Sequence, residues 1–148
     1  MIEGLAVGSG LLMATACDFR ISTKEARFGI PVAKTLGNCL SPSNLSWIAA
    51  HLGVPMVKKM LLTAELIKAP ELLESGFLYQ TAEAVEIEST TNALAQKLAA
   101  LAPITQKASK LTLARLLENN LPDCTDLMRE TYNSQDFREG VNAFLDGR

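Results

Sequence analysis

Cysteine, histidine and aromatic residues are scarce in this chain. Its 148 residues include three cysteines, Cys17, Cys39 and Cys124, a single histidine, His51, and only 5% aromatic residues. The cysteines are odd in number, widely spaced and without a C-x-x-C pair, so the sequence supports neither a disulfide framework nor a zinc knuckle and points to a reducing compartment. His51 has no cysteine or acid at ligand or triad spacing, and no metal site is expected. An excess of either charge is also lacking. Fourteen lysines and arginines against 16 acidic residues leave a formal net charge of -2. The basic residues are scattered, which gives no footprint for nucleic acid or an anionic membrane. Long hydrophobic runs are missing as well. The apolar stretch 5–16 is too short to span a bilayer, has no basic leader and is interrupted by Gly8 and Gly10. A cytoplasmic location is expected, with the mitochondrial matrix as the eukaryotic equivalent.

What is present is 48% hydrophobic residues with 20% charged, enough for one soluble globular domain with a real core. The run 2–7 reads as a strand, Gly8-Ser9-Gly10 as a tight turn, and 11–16 as a buried helix of good helix formers. Alternation over 17–22 predicts a half-buried strand, and 28–30 a second short one. From Ser41 the signals turn helical. Pro42 suits a first helical position, Leu45, Ile48, Ala49 and Leu52 recur at helical spacing, and Gly53 is a natural stop. Pro55 opens a second helix with Met56, Val57, Met60 and Leu61 on one face and Lys58 and Lys59 off it. A short helix over 69–75 precedes a strand-like 77–79. Three further helices are expected over 89–101, 103–120 and 122–145, the last with a break near Asn133-Ser134. Pro103 and Pro122 stand where a helix starts more readily than it continues. The first strand comes almost directly after Met1, so its partners are expected from another chain or from a longer parent protein.

The segment Ile2-Glu3-Gly4-Leu5-Ala6-Val7-Gly8-Ser9-Gly10, followed by Ala14-Thr15-Ala16-Cys17-Asp18-Phe19-Arg20-Ile21, resembles the signature of the enoyl-CoA hydratase/isomerase (crotonase) family. That signature is an apolar strand, G-x-A-x-G-G-G, a short apolar helix and C-D-x-R-I-A. The likeness continues through Ala26-Arg27-Phe28-Gly29-Ile30-Pro31, Leu36-Gly37, Leu61-Leu62-Thr63-Ala64 and Glu74-Ser75-Gly76-Phe77-Leu78. It closes on Ser134-Gln135-Asp136-Phe137-Arg138-Glu139-Gly140-Val141-Asn142-Ala143-Phe144, similar to the family ending S-x-D-x-x-E-G-x-x-A-F. It therefore spans essentially the whole chain. The resemblance implies an α/β crotonase-type spiral of β-β-α turns that lacks the family's N-terminal segment. Residues 1–80 would form a partial core and 81–148 a helical region that joins subunits, the two folding as one unit into a homo-oligomer, a trimer or a hexamer built from trimers.

The resemblance also implies a coenzyme A thioester as substrate, with no separate cofactor, in fatty acid metabolism. Two backbone N–H groups would stabilise the enolate-like oxygen on the thioester carbonyl, and one of them matches Ser9 in Gly8-Ser9-Gly10. The plain alternative for these residues is a tight turn into a buried helix. Proton transfer departs from the family pattern. The glutamates that a hydratase uses match Leu12 and Val32, and a third acidic position found in some isomerases and dehydratases matches Ser41. None of the three is an acid. Serine at its free pKa is a poor general base, and Ser41 before Pro42 reads better as a helix N-cap. Gly8, Ser9, Gly10, Leu12, Val32 and Ser41 are thus the expected substrate-binding positions.

The other candidates have ordinary readings. His51 reads as a structural group late in a helix, and Cys39 as a small buried hydrophobe. Asp18 and Arg20 would tie down a strand end. Lys107 and Lys110 form a solvated face, with contact to CoA phosphates as the lesser reading. Leu111, Leu116, Leu127, Met128, Phe137 and Phe144 are expected in the core or in subunit contacts. Two functions remain open: an acyl-CoA enzyme of lyase or isomerase type that relies mainly on its oxyanion hole, as in decarboxylation, or an inactive remnant that serves as an oligomerisation module.

Overall fold

The computed structural model describes residues 1–117 and 125–148. Strand β1 (Leu5–Val7) leads through a turn into α1 (Ser9–Ala16), then β2 (Ile21–Thr23), β3 (Arg27–Gly29) and a 3-10 turn over Pro31–Ala33. Helices α2 (Pro42–Leu52) and α3 (Val54–Leu62) come next, then β4 (Ile67–Lys68), α4 (Ala69–Glu74) and β5 (Gln80–Ala82). Helices α5 (Ile87–Ala99), α6 (Pro103–Leu117), α7 (Thr125–Asn133) and α8 (Gln135–Leu145) complete the described chain. The expected order of strands and helices holds with boundaries displaced by a few residues, except that β4 was not expected.

Two small sheets carry the strands. In one, β1 and β3 run parallel with Ala6 opposite Phe28, and β4 pairs antiparallel with the other edge of β3. In the other, β2 and β5 run parallel. The first strand, expected to need partners from elsewhere, pairs with the later β3. Ile2 lies outside β1 and makes only a single bridge to Ser22.

Three other boundaries are corrected. The strand expected over 17–22 is confined to Ile21–Thr23, because the backbone of 17–20 curls around the Arg20 side chain. The strand expected over 77–79 begins only at Gln80. Phe77 and Leu78 are apolar because they plug the core from a turn, where Leu78 N–H donates to Leu72 O and Tyr79 N–H to Arg20 O. The helix expected over 89–101 runs over Ile87–Ala99. The break near Asn133-Ser134 is present, since Ser134 caps α8 by accepting from Phe137 N–H at 3.1 Å. The helix start at Pro122 and the thiol of Cys124 lie outside the described residues.

The main core joins Leu11 of α1, Phe28 and Ile30 around β3, Ile48 of α2, Met60 of α3, Ile67 of β4, Leu72 of α4, and Phe77 with Leu78. Each such side chain contributes about 1.5–3 kcal/mol through burial. Phe28 and Phe77 meet edge to face at 6.2 Å. The α3 face reads as expected, with Val57 and Met60 buried and Met56 and Leu61 partly so. Lys59, at its edge, pairs with Glu71 of α4 at 2.7 Å. That hydrogen bond raises the Lys59 pKa, so this small stabilisation is complete at neutral pH and is lost only as pH rises through the raised value.

The C-terminal helices do not share this core. Leu111 and Leu116 of α6 are exposed, Phe144 of α8 is 74% exposed and Phe137 is half-buried. The core role expected for the first three is not filled within this chain. The side chains of Leu127 and Met128 lie outside the described residues. No helix among the described residues is long and apolar enough to cross a membrane.

Candidate active site

The parallel pairing of β1 with β3 places Val7 opposite Gly29, so both strands end at the same edge of the sheet. Two segments therefore leave that edge side by side: Gly8-Ser9-Gly10 after β1, and Ile30-Pro31-Val32 after β3. The mouth outside the carboxyl ends of parallel strands is a general location for ligand sites in α/β folds. Gly8 occupies φ 54°, ψ -119°, in the positive-φ region that disfavours a Cβ. Its N–H donates to Gly29 O at 2.9 Å, and its own carbonyl accepts from Leu12 N–H at 3.2 Å as the first bond of α1.

The turn is therefore braced from both sides, and the first amides of α1 are left over. No side chain caps the helix. Ser9 is exposed, and its N–H has no acceptor among the described residues. A leftover donor at the positive end of a helix is poised for an anion or a developing oxyanion. Gly29 supports this arrangement directly. A Cβ there would stand 2.7 Å from Leu66 Cδ2 and 3.0 Å from Glu65 O, so the strand that anchors Gly8 admits no larger residue without movement.

Leu12 lies one turn into α1, and Val32 sits in the 3-10 turn after β3. Both are partly buried and both pack against the main core. Ser41 is the N-cap of α2, as its place before Pro42 predicts. Its hydroxyl accepts from Asn44 N–H at 3.3 Å and lies 3.1 Å from the Ser43 hydroxyl. Beneath α1, Arg20 is 9% exposed. Its guanidinium donates to Phe77 O at 2.6 Å, to Ala14 O at 3.2 Å and to Cys17 O, and it stacks over the Phe77 ring at 4.4 Å. Burial lowers its pKa, partly offset by Cys17 and Asp18. The expected tie at the strand end is thus Arg20 alone. Asp18 instead faces outward and pairs with Lys110 at 2.6 Å.

Two cavities lie apart from the Ser9 turn. A groove of about 790 Å³ opens at the far end of α1, between Phe19, Trp47 and Leu98 on one side and Leu113 and Leu117 of α6 on the other. His51 lines it while holding Trp47 O at 2.8 Å through Nδ1, which is the structural role expected of it. A cleft of about 700 Å³ opens between Lys34, Thr35 and Asn38 after the 3-10 turn and Glu130 of α7 with Glu139 and Ala143 of α8. Sequence reasoning did not foresee this cleft. Gly140 belongs to the matched family ending, but nothing local in the sequence shows what it touches.

Over residues 1–148 the sequence matches the family profile described as Enoyl-CoA hydratase/isomerase. It is 28% identical to a short-chain-enoyl-CoA hydratase of Clostridium acetobutylicum, covering 99% of this chain and 58% of that protein. A methylmalonyl-CoA decarboxylase solved with 2-nitronate-propionyl-CoA superposes with a TM-score of 0.91 at 27% identity, over all of this chain and 59% of that one. An enoyl-CoA hydratase from Mycobacterium avium subsp. paratuberculosis gives a TM-score of 0.83 at 26% identity, covering 99% of this chain and 61% of that one. The chain thus spans about three-fifths of the length of these relatives and has their crotonase fold along its whole described course. It belongs to the enoyl-CoA hydratase/isomerase family.

Proposed function

We propose that this chain contributes to a site that binds an acyl-CoA thioester and stabilises the enolate oxygen on its carbonyl through the Ser9 amide, without a carboxylate acid or base. The observation that carries the reading is the Ser9 N–H at the start of α1, on an exposed residue and without an acceptor among the described residues, next to the bond from Gly8 N–H to Gly29 O. One pre-aimed donor of this kind contributes about 2.7–4 kcal/mol to a transition state. Leu12 and Val32 are apolar where the resemblance implies glutamates, so no group at those positions can activate water or relay a proton.

The reaction class that suits this arrangement forms the enolate by losing a group other than a proton. In a 2-carboxyacyl thioester, the electron pair of the bond to the carboxylate passes towards the thioester carbonyl as CO2 departs. The oxygen that takes the charge meets the amide, and a proton from solvent at C2 completes the product. Apolar side chains beside the carboxylate favour the neutral product over the anion. The higher structural similarity to the decarboxylase than to the hydratase, at nearly equal identity, supports the same choice. Exposed apolar residues such as Ile104, at 82%, and Phe144 support the further reading that the chain works as a homo-oligomer.

The direct test is to assay the chain with methylmalonyl-CoA for CO2 release and with crotonyl-CoA for hydration. Release without hydration is expected. Hydration at a comparable rate would show a proton relay that the reading excludes. The second reading, an inactive remnant retained for oligomerisation, draws on the same exposed apolar surface. Failure to bind either thioester in calorimetry would select it.

A further inference from the structure

Between the 3-10 turn and α2, residues 34–41 form no regular element. The first part of this loop is held by its own backbone, with Lys34 and Thr35 N–H donating to Pro31 O and Gly37 N–H to Val32 O at 2.8 Å. Beyond Gly37 that support ends. The N–H groups of Asn38, Cys39 and Leu40 have no backbone acceptor among the described residues, and Asn38 Oδ1 is enclosed without a hydrogen-bond partner. A loop with so few bonds of its own takes its position from whatever packs on it.

The α7–α8 pair packs on it. A Cβ at Gly140 of α8 would stand 2.6 Å from both the C and the O of Leu36 and 2.8 Å from its Cα, so helix and loop backbones are in direct contact. Three residues further along the loop, Tyr132 of α7 reaches Cys39 O through its hydroxyl at 3.4 Å. The Tyr132 ring is set edge to face on Phe137 of α8 at 5.0 Å. We infer that Gly140, with Tyr132 as a second anchor, is a positioning residue: α8 clamps the 36–40 loop and so fixes the wall between Val32 and Ser41 against which the acyl group lies. The acyl-group part of this inference rests on the acyl-CoA reading above, whereas the clamp itself does not. The Ser9 turn is anchored separately, through the bond from Gly8 N–H to Gly29 O.

The experiment compares the full chain with Gly140→Ala, Tyr132→Phe and, as a control on an exposed position of the same helix, Asn142→Ala. Amide hydrogen exchange reads the loop, and calorimetry reads binding of crotonyl-CoA and of free CoA. For Gly140→Ala, exchange over 36–40 rises about tenfold and the crotonyl-CoA Kd weakens about tenfold, the ordinary scale for overpacking a tight contact. Exchange in β1 and β3 and the Kd for free CoA stay within about twofold. Tyr132→Phe moves the same quantities less, and it decides the matter alone if Gly140→Ala does not fold. Asn142→Ala moves none of them. Unchanged exchange over 36–40 in the folded variants would overturn the clamp. Equal weakening of crotonyl-CoA and free CoA would overturn the positioning role. A wild-type chain that binds neither ligand defeats the acyl-CoA reading and its positioning corollary, while the exchange measurement still decides the clamp.

Discussion

At position 9 the proposed chemistry resides in the backbone, so the side chain and the amide can be separated by mutation. Ser9→Ala keeps the N–H and should leave thioester turnover within about twofold. Ser9→Pro removes the donor at a first helical position, where proline is well tolerated and where Gly8 has no Cβ to crowd the ring. It should keep the fold by circular dichroism and lower turnover by about 10²–10³. Position 41 makes the opposite case, since its hydroxyl serves the helix. Ser41→Ala should cost about 1 kcal/mol in urea denaturation and leave turnover nearly unchanged. A large loss of turnover with intact stability would make Ser41 catalytic. Ser41 was legible because an N-cap has a local signature in Ser-Pro ahead of a helical period. The identity of the Ser9 turn was not, since glycine-flanked bends are common, and only the matched segments around it gave it a role.

Among the elements, helices were easier to read than strands. Pro42, Gly53 and Pro103 mark helix ends by what their backbones forbid, and the helices begin or end there. The strands are two or three residues long, too short for a period to declare itself. The run Phe77-Leu78-Tyr79 looks like a strand because it is apolar, yet Phe77 and Leu78 are apolar because they fill the core, and Tyr79 is exposed. Arg20 shows why such boundaries escape local reasoning. Its guanidinium collects carbonyls from Ala14, Cys17 and Phe77, residues up to 57 positions away, and so joins the end of α1 to the approach to β5. Arg20→Ala would remove the guanidinium donor from Phe77 O and Cys17 O, while Ala14 O would keep the Cys17 N–H. A loss of about 2–4 kcal/mol in urea denaturation is expected. A loss below about 0.5 kcal/mol would mean that water replaces the guanidinium at little cost.

For the whole molecule, the described chain divides its hydrophobic surface unevenly. Every buried member of the main core lies between β1 and Leu78, although Met13, Val54 and Leu62 of that segment are exposed, while Ile104, Leu113, Leu116, Phe144 and Leu145 remain mostly in solvent. Nothing local in the sequence distinguishes these two uses of leucine, because a helical stripe looks alike whether its partner is its own core or another subunit. Light scattering should give a mass of several times the 16.0 kDa protomer, and Phe144→Asp should lower it. A monomer at every concentration would rule out self-association. One amide carries the proposed chemistry of the whole molecule. In a ¹H–¹⁵N spectrum titrated with 2-nitronate-propionyl-CoA, the Ser9 amide proton should show the largest downfield displacement, and Ser9→Pro should bind the analogue far more weakly than Ser9→Ala. An unmoved Ser9 resonance, with equal affinity in the two variants, would contradict it.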